Sequence, residues 1–200
     1  MGAAADCESI GVGLLRQPVN SITTVAFVAA GLWIVTVRPD RRWVGVAVVA
    51  TGIGSLLFHG PMPAGAEWAH DVTLAWLLLV VAGTGTRWEK TTHIPGLLGL
   101  GVLFAFIPAI ADPLAVVITV IALVVRIRLD RSPHTRGALT LLGASAIIGR
   151  LGATGWPLCD PNSLLQTHGL WHVAAAAAVV WWATGADSGP QSAHTRRPES

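Results

Sequence analysis

Charged residues are scarce in this 200-residue chain: Asp, Glu, Lys and Arg make up only 12% of it, against 52% hydrophobic residues. Together with a mean hydropathy of +0.60, this scarcity excludes an ordinary soluble domain. The solvent for most of the chain is therefore expected to be lipid. A net charge of only +2, with no internal repeat and no nucleic-acid motif, gives no indication of a nucleic-acid partner.

Two further absences narrow the class of membrane protein. Lys90 is the only lysine and lies in a predicted loop, so a retinal Schiff base cannot form inside a helix bundle. No basic residue precedes Arg16, so the start of the chain lacks the positive region of a cleavable signal peptide. We therefore expect residues 1–19 to be retained as an extracytoplasmic segment. Residues 186–200 are polar and rich in Ser, Pro and Arg, which is typical of a disordered cytoplasmic tail.

Long apolar runs recur along the chain, separated by prolines and charged residues. A hydrocarbon core roughly 30 Å thick needs about 20 apolar residues per helix, within a range of about 17 to 25. The predicted fold is therefore an all-α membrane protein, with a seven-transmembrane helix bundle over residues 20–185 and no separate soluble domain. The helices are expected at residues 20–37, 43–59, 68–85, 94–111, 113–128, 136–154 and 165–185.

The basic residues fall almost entirely at one end of this predicted bundle. Because Lys and Arg in short loops favour the cytoplasm, they predict an outside N-terminus and an inside C-terminus. An Arg-, Ala- and Gly-rich composition hints at a high-GC bacterium, and hence at its plasma membrane. The basic residues at the predicted cytoplasmic end are Arg38, Arg41, Arg42, Arg87, Lys90, Arg126, Arg128, Arg131, Arg136, Arg196 and Arg197.

Ionisable side chains within the predicted helices gather at the other, outer end. Such groups are costly in lipid and indicate function. His59 ends the second helix, whereas His168 and His172 begin the seventh and, being four residues apart, share one helix face. His59, Asp71 and His168 each lie roughly 24 to 26 Å from the cytoplasmic edge at about 1.5 Å per residue. A common depth predicts one pocket and disfavours a transporter, whose ionisable residues should extend across the membrane.

The three histidines have a donor set that suits zinc. Three imidazoles and a water form the open tetrahedral arrangement of catalytic zinc, which lowers the pKa of the water to about 7 and polarises a carbonyl. Ser55, one turn from His59, could stabilise an oxyanion, and Asp71 could orient or deprotonate the water. On the residues alone, interhelical hydrogen bonds by the histidines and a bond from Ser55 to its own helix stay open. His70 and Glu67 are predicted to be solvated groups at the interface.

Cys7 and Cys159 both fall on the predicted oxidising side of the membrane. A disulfide between them and two free thiols are both open on this placement alone.

A series of blocks in chain order resembles the alkaline ceramidase family, a branch of the seven-helix CREST hydrolases that also include the progestin and adipoQ receptors. The blocks are Cys7-Glu8, Asn20-Ser21, Gly54-Ser55-x-x-x-His59, Asp71 and His168-x-x-x-His172. The resemblance implies that His59, His168 and His172 bind zinc and that Ser55 and Asp71 assist catalysis. It also implies that Cys7 and Cys159 form a disulfide.

The same resemblance implies a calcium site formed by the N-terminal segment. Glu8 fits the family's pattern, whereas the Asn that follows in the family is absent and Gln17 stands where the family has a glutamate before helix one. Calcium is thus the weaker of the two implied cofactors.

The leading hypothesis is an integral-membrane, zinc-dependent amide hydrolase acting on ceramide or a related N-acyl lipid drawn from the membrane. The alternative is a receptor or signalling protein of the progestin and adipoQ receptor type, in which the metal site is mainly structural. Short loops leave such a receptor little surface for protein partners.

Overall fold

A computed structural model describes residues 2–185, which contain helices and no β-strand. The α-helices are α1 Pro18–Thr23, α2 Val25–Val37, α3 Arg42–His59, α4 Ala66–Gly83, α5 Glu89–Thr92, α6 Ile94–Phe106, α7 Ala111–Leu129, α8 Pro133–Leu151 and α9 Thr167–Thr184. Short 3-10 turns cover Ala3–Asp6, Pro39–Arg41 and Pro108–Ile110. The predicted tail at 186–200 lies outside the described residues.

Four helical segments in the described part of the chain are long and apolar enough to cross a membrane. They are Pro18–Val37, Pro39–His59, Ala66–Gly83 and Pro108–Leu129. The all-helical fold is confirmed, and these segments suggest a membrane protein. Helix α6 is apolar but has only 13 residues. Helices α8 and α9 are long enough, but their histidine, arginine and tryptophan side chains lower their hydropathy, so seven crossings stay a prediction, as does the sidedness.

The end of α6 differs from the sequence expectation. The apolar run predicted a helix over residues 94–111, yet α6 ends at Phe106 and a 3-10 turn follows at Pro108–Ile110. Pro108 cannot donate a backbone hydrogen bond, and its ring disfavours a helix that continues through it. Pro113 is accepted because it lies in the first turn of α7, where backbone N–H groups have no partner within the helix.

Helix α3 is the centre of the packing and lies against both α2 and α4. Two glycines bring α2 and α3 together: a Cβ on Gly31 would lie 2.5 Å from the carbonyl oxygen of Gly45, and one on Gly45 would lie 2.7 Å from that of Gly31. Small residues at helix contacts are typical of packing in lipid, where close approach replaces the hydrophobic driving force. Helix α9 packs along α2 and α8, so α3 and α9 are held on neighbouring sides of α2.

Large apolar side chains cover the outer faces of α6 and α7. A soluble monomer rarely exposes a continuous apolar surface of this kind, whereas lipid is a suitable solvent for it. The exposed side chains include Leu98, Val102, Phe106, Val116, Val117, Val120, Ile121, Val124 and Ile127.

Arginines bind the C-terminal ends of α4 and α9 at one end of the bundle. Arg38 donates to the carbonyl oxygens of Ala183 and Gly185 at 3.0 and 3.1 Å. Arg126, which is buried, donates to the carbonyl of Thr84 at 2.6 Å. A cation at a helix C-terminus satisfies carbonyls that have no partner within the helix. The histidines lie at the opposite end, where α3 ends and α9 begins.

Candidate metal centre

Three imidazoles meet where the last residue of α3 faces the first two turns of α9. One ring nitrogen from each of His59, His168 and His172 lies within 4.8 Å of the other two, so the group could hold a metal ion. His59 and His172 are buried, and His168 is half-buried. Tetrahedral zinc, with bonds of about 2.0 to 2.1 Å, separates its ligand nitrogens by roughly 3.4 Å. Small ring rotations would therefore close the cluster around one ion.

Gln17 fixes the ring of His59. Its Oε1 lies 2.6 Å from Nδ1 of His59, while its Nε2 donates to the carbonyl oxygens of Ala3 and Glu8 at 2.9 and 2.8 Å. Because Nε2 is committed to two acceptors, Oε1 is the acceptor facing the imidazole. His59 therefore carries its proton on Nδ1 and leaves the lone pair of Nε2 free.

The other two rings are oriented in the same way by different groups. The Thr23 hydroxyl lies 3.0 Å from Nδ1 of His172 and donates to backbone carbonyls of its own helix, so it accepts from the imidazole. Asp6 Oδ1 lies 3.3 Å from Nδ1 of His168. Metal-binding histidines usually have an oxygen partner at the ring nitrogen that does not bind the metal. This partner fixes the tautomer and raises the basicity of the ligand.

The Nε2 nitrogens of the three rings have few hydrogen-bond partners. Nε2 of His59 and Nε2 of His168 are buried and make no hydrogen bond, and Nε2 of His172 has only the Ser55 hydroxyl at 3.4 Å. Buried polar atoms are rarely left unpaired, and an ion is one of the groups that can satisfy them. The donors and their free lone pairs therefore fit a divalent metal that accepts imidazole; its identity is not fixed by this geometry.

The N-terminal segment is fastened over the cluster. Cys7 and Cys159 form a disulfide with sulfur atoms 2.10 Å apart. Next to it, the backbone N–H of Cys7 and the carbonyl of Ala4 both hydrogen-bond the Thr154 hydroxyl, at 3.1 and 2.6 Å. Asp6 lies between these attachments, and burial raises its pKa to about 6 despite the opposing charge of the nearby His70. The position of Asp6, the partner of His168, therefore depends on the disulfide and hydrogen bonds that attach this segment to the loop between α8 and α9.

Glu8 has a structural role in this segment. Its two carboxylate oxygens accept the backbone N–H groups of Val19 and Asn20 at 2.7 and 2.8 Å. A carboxylate in this position satisfies the unpaired first turn of α1 and suits the positive end of the helix. Gln17 Nε2 meanwhile donates to the Ala3 and Glu8 carbonyls. The predicted calcium is not needed to hold these groups together, although its binding stays a prediction.

Ser55 and Asp71 stand in different relations to the histidines. Ser55 is buried, one turn before His59, with its hydroxyl 3.4 Å from Nε2 of His172. Asp71 is half-buried and is not one of the grouped metal ligands among the described residues. Its Oδ1 lies 3.0 Å from Nδ1 of His70. The structure thus places Ser55 at the cluster, whereas Asp71 hydrogen-bonds His70 and is not grouped with the three histidines.

His70 is not the solvated group that the sequence suggested. Its ring stacks on Phe58 with centroids 4.6 Å apart and lies 6.3 Å from the His59 ring, and its side chain is 17% exposed. The stacking follows from α3 and α4 packing directly against each other, which brings Phe58 to the first turn of α4. Beyond it, Glu67 and Asp71 line a cavity of about 480 Å³, together with Trp68, Phe104 and Asp112.

Sequence reasoning missed the three groups that orient the imidazoles: Asp6, Gln17 and Thr23. None lies in a helix at histidine spacing, so periodicity could not connect them to the site. The one available signal was polarity beside an apolar run, because Gln17 and Thr23 flank the residues that open the first predicted helix.

No protein-family model matches this chain, and neither a curated protein nor a solved structure matches it.

Proposed function

We propose that this chain is an integral-membrane, zinc-dependent amide hydrolase of the ceramidase type, cleaving the amide bond of ceramide or a related N-acyl lipid. The observation that carries the proposal is the meeting of three imidazoles, with one nitrogen of each within 4.8 Å of the others. Each Nδ1 lies near an oxygen of Gln17, Thr23 or Asp6, and two of the three Nε2 atoms have no hydrogen bond. A hydrolytic metal site needs this pattern of three fixed ligands and an open fourth position.

A zinc ion held there would activate a water and polarise the scissile carbonyl. The Ser55 hydroxyl would donate a hydrogen bond to the carbonyl oxygen as negative charge develops on it. Asp71, hydrogen-bonded to His70, would accept the proton that the attacking water loses. That proton would pass to the leaving nitrogen as the C–N bond breaks, giving a carboxylic acid and an amine; transfer of the acid proton to the amine then gives a carboxylate and an ammonium group.

The lipid character of the substrate is supported by the setting of the site. The cluster lies at one end of a helical bundle whose α6 and α7 faces are apolar and exposed. We propose that α6, α8 and α9 also cross the membrane, giving seven crossings with the N-terminus outside and the site on the extracytoplasmic side of a bacterial plasma membrane. The arginines at the opposite end of the bundle support this orientation.

Metal analysis and turnover of the purified protein test the proposal together. We expect about one zinc per chain, lost in His59→Ala, His168→Ala and His172→Ala. His134→Ala is the matched control, because His134 is exposed and contacts Trp181 at the far end of the bundle. Hydrolysis would be measured on a panel of ceramides, N-acyl amino acids and N-acyl ethanolamines.

Two results would contradict the hydrolase assignment. Turnover that survives the loss of zinc in His168→Ala would remove the metal from the reaction. Stoichiometric zinc with no turnover of any N-acyl lipid would favour the receptor alternative, in which the metal is structural.

A further inference from the structure

Asn20 is the one residue among those described whose side chain is fully buried with both polar atoms unpaired. Its exposed fraction is 0%, and neither Nδ2 nor Oδ1 has a hydrogen-bond partner. The backbone of the same residue is satisfied, since Glu8 accepts its N–H and its carbonyl accepts the Thr23 hydroxyl. The backbone hydrogen bonds therefore fix the position of Asn20, while its carboxamide makes no hydrogen bond within the described residues.

The register of α1 places Asn20 on the helix face that carries two partners of the histidines. Asn20 lies three residues after Gln17 and three before Thr23, so all three share one helix face. Gln17 binds the ring of His59, and Thr23 binds the ring of His172. Asn20 thus stands between the two residues that orient neighbouring ligands.

Few other buried side-chain atoms in residues 2–185 lack a hydrogen-bond partner. The remaining buried side-chain atoms without partners are Nε2 of His59 and His168, which face the metal position, and Nε of Arg126. Arg126 lies at the opposite end of the bundle, where it binds the end of α4. Leaving a buried amide unpaired is costly, so a water molecule is the expected partner.

We infer that the carboxamide of Asn20 binds the water molecule that attacks the substrate carbonyl. Oδ1 accepts one O–H of this water and turns the oxygen lone pair toward the reacting carbon, while Nδ2 is available to a second water. Asn20 is then a catalytic residue, separate from the ligands and from Ser55. The inference rests on the proposed hydrolase function and assigns a role to a residue in the first turn of α1.

Asn20→Leu tests the role, because leucine keeps the side-chain volume and removes both polar atoms. With the hydrolase active, we expect kcat to fall by about 10²-fold, as on loss of one transition-state hydrogen bond, while KM stays unchanged. Loading the protein with cobalt gives a readout independent of turnover. The variant should bind as much cobalt as the wild type, but its visible spectrum and the pH at which that spectrum changes should shift.

Thr24→Val is the matched control, since Thr24, immediately after α1, is equally buried but its hydroxyl donates to the Ser21 carbonyl. It should keep the wild-type spectrum. Asn20→Ser, a smaller change that restores a hydroxyl, should recover part of the lost turnover and serves as the second variant should the leucine protein not fold.

Each failure has a distinct meaning. Wild-type kcat and spectrum in metal-loaded Asn20→Leu would overturn the role of Asn20 and leave the proposed function standing. Loss of cobalt from both Asn20 variants would also overturn it, because Asn20 would then support the ligands rather than the water. A wild-type protein that binds no metal, or hydrolyses no lipid, would remove the proposed function and this inference together.

Discussion

Gln17 and His59 are joined at two points: the backbone N–H of Gln17 donates to the carbonyl oxygen of His59 at 2.9 Å, and the side-chain oxygen of Gln17 lies 2.6 Å from its Nδ1. The backbone bond sets the distance between the start of α1 and the end of α3. The side-chain bond then sets the tautomer. One residue therefore controls both the location and the protonation of a proposed ligand.

Replacing Gln17 by Ala should weaken zinc binding by about 10- to 100-fold, the usual effect of losing an outer partner of a histidine ligand. Competition with a chromophoric chelator would measure the affinity. Ser145→Ala is the control, because Ser145 is also buried but its hydroxyl donates to the Leu142 carbonyl of its own helix. An unchanged affinity in Gln17→Ala would show that His59 is oriented without it.

Removing the disulfide by Cys7→Ser with Cys159→Ser should lower both stability and metal affinity. The bond closes a loop across a sequence separation of 152 residues, and native disulfides typically contribute about 2 to 5 kcal/mol. Metal affinity should fall because Asp6, the partner of His168, precedes Cys7. Thermal unfolding with and without zinc would measure both effects, and reductant should convert the wild type to the same behaviour. Equal zinc affinity in reduced and oxidised protein would contradict the link.

Gly45→Ala should destabilise the bundle by about 1 to 3 kcal/mol, because its Cβ would overlap the α2 backbone. Gly143→Ala is the matched control: it is also within a helix, but an added Cβ meets nothing within 4 Å. Thermal melting in detergent should separate the two. Similar melting temperatures would mean that α2 and α3 tolerate a wider separation.

Arg126→Gln should destabilise the protein by about 1 to 3 kcal/mol, since the carbonyl of Thr84 would lose a charged donor within a buried region. Arg128→Gln, an exposed position on the same helix, should change stability by less than about 0.5 kcal/mol. The comparison uses unfolding in a denaturing detergent titration. Equal losses of stability in the two variants would contradict a stabilising role for the buried Arg126. Neither change should alter zinc content, because both lie far from the histidines.

The grouping of His59, His168 and His172 could be predicted from the sequence because helix rise and bilayer thickness place His59 and His168 at one depth, and the four-residue spacing puts His172 on the face of His168. Those constraints act on regular segments only. They say nothing about the irregular residues before α1, where Asp6 and Gln17 reach their partners through loop geometry. The position of Asp71 was predicted in depth but not in direction, since a shared level does not specify which neighbour, here His70, its carboxylate meets.

Helix boundaries, too, were predictable in some places and not in others. The start of α8 follows from local chemistry, with the Ser132 hydroxyl accepting the N–H of Thr135 at 3.2 Å and Pro133 at the first position. The early end of α6 was not predicted, because the apolar run continues through Pro108 and indicates an unbroken helix, whereas the proline ends it. Apolarity alone could not reveal that break.

The disulfide between Cys7 and Cys159 has a consequence for the maturation of the protein. One ligand comes from the first third of the chain and two from its last helix, while the groups that aim them belong to the opening residues. The proposed metal site would therefore be complete only after α9 has been synthesised. In the proposed enzyme, metal loading would thus follow synthesis of α9.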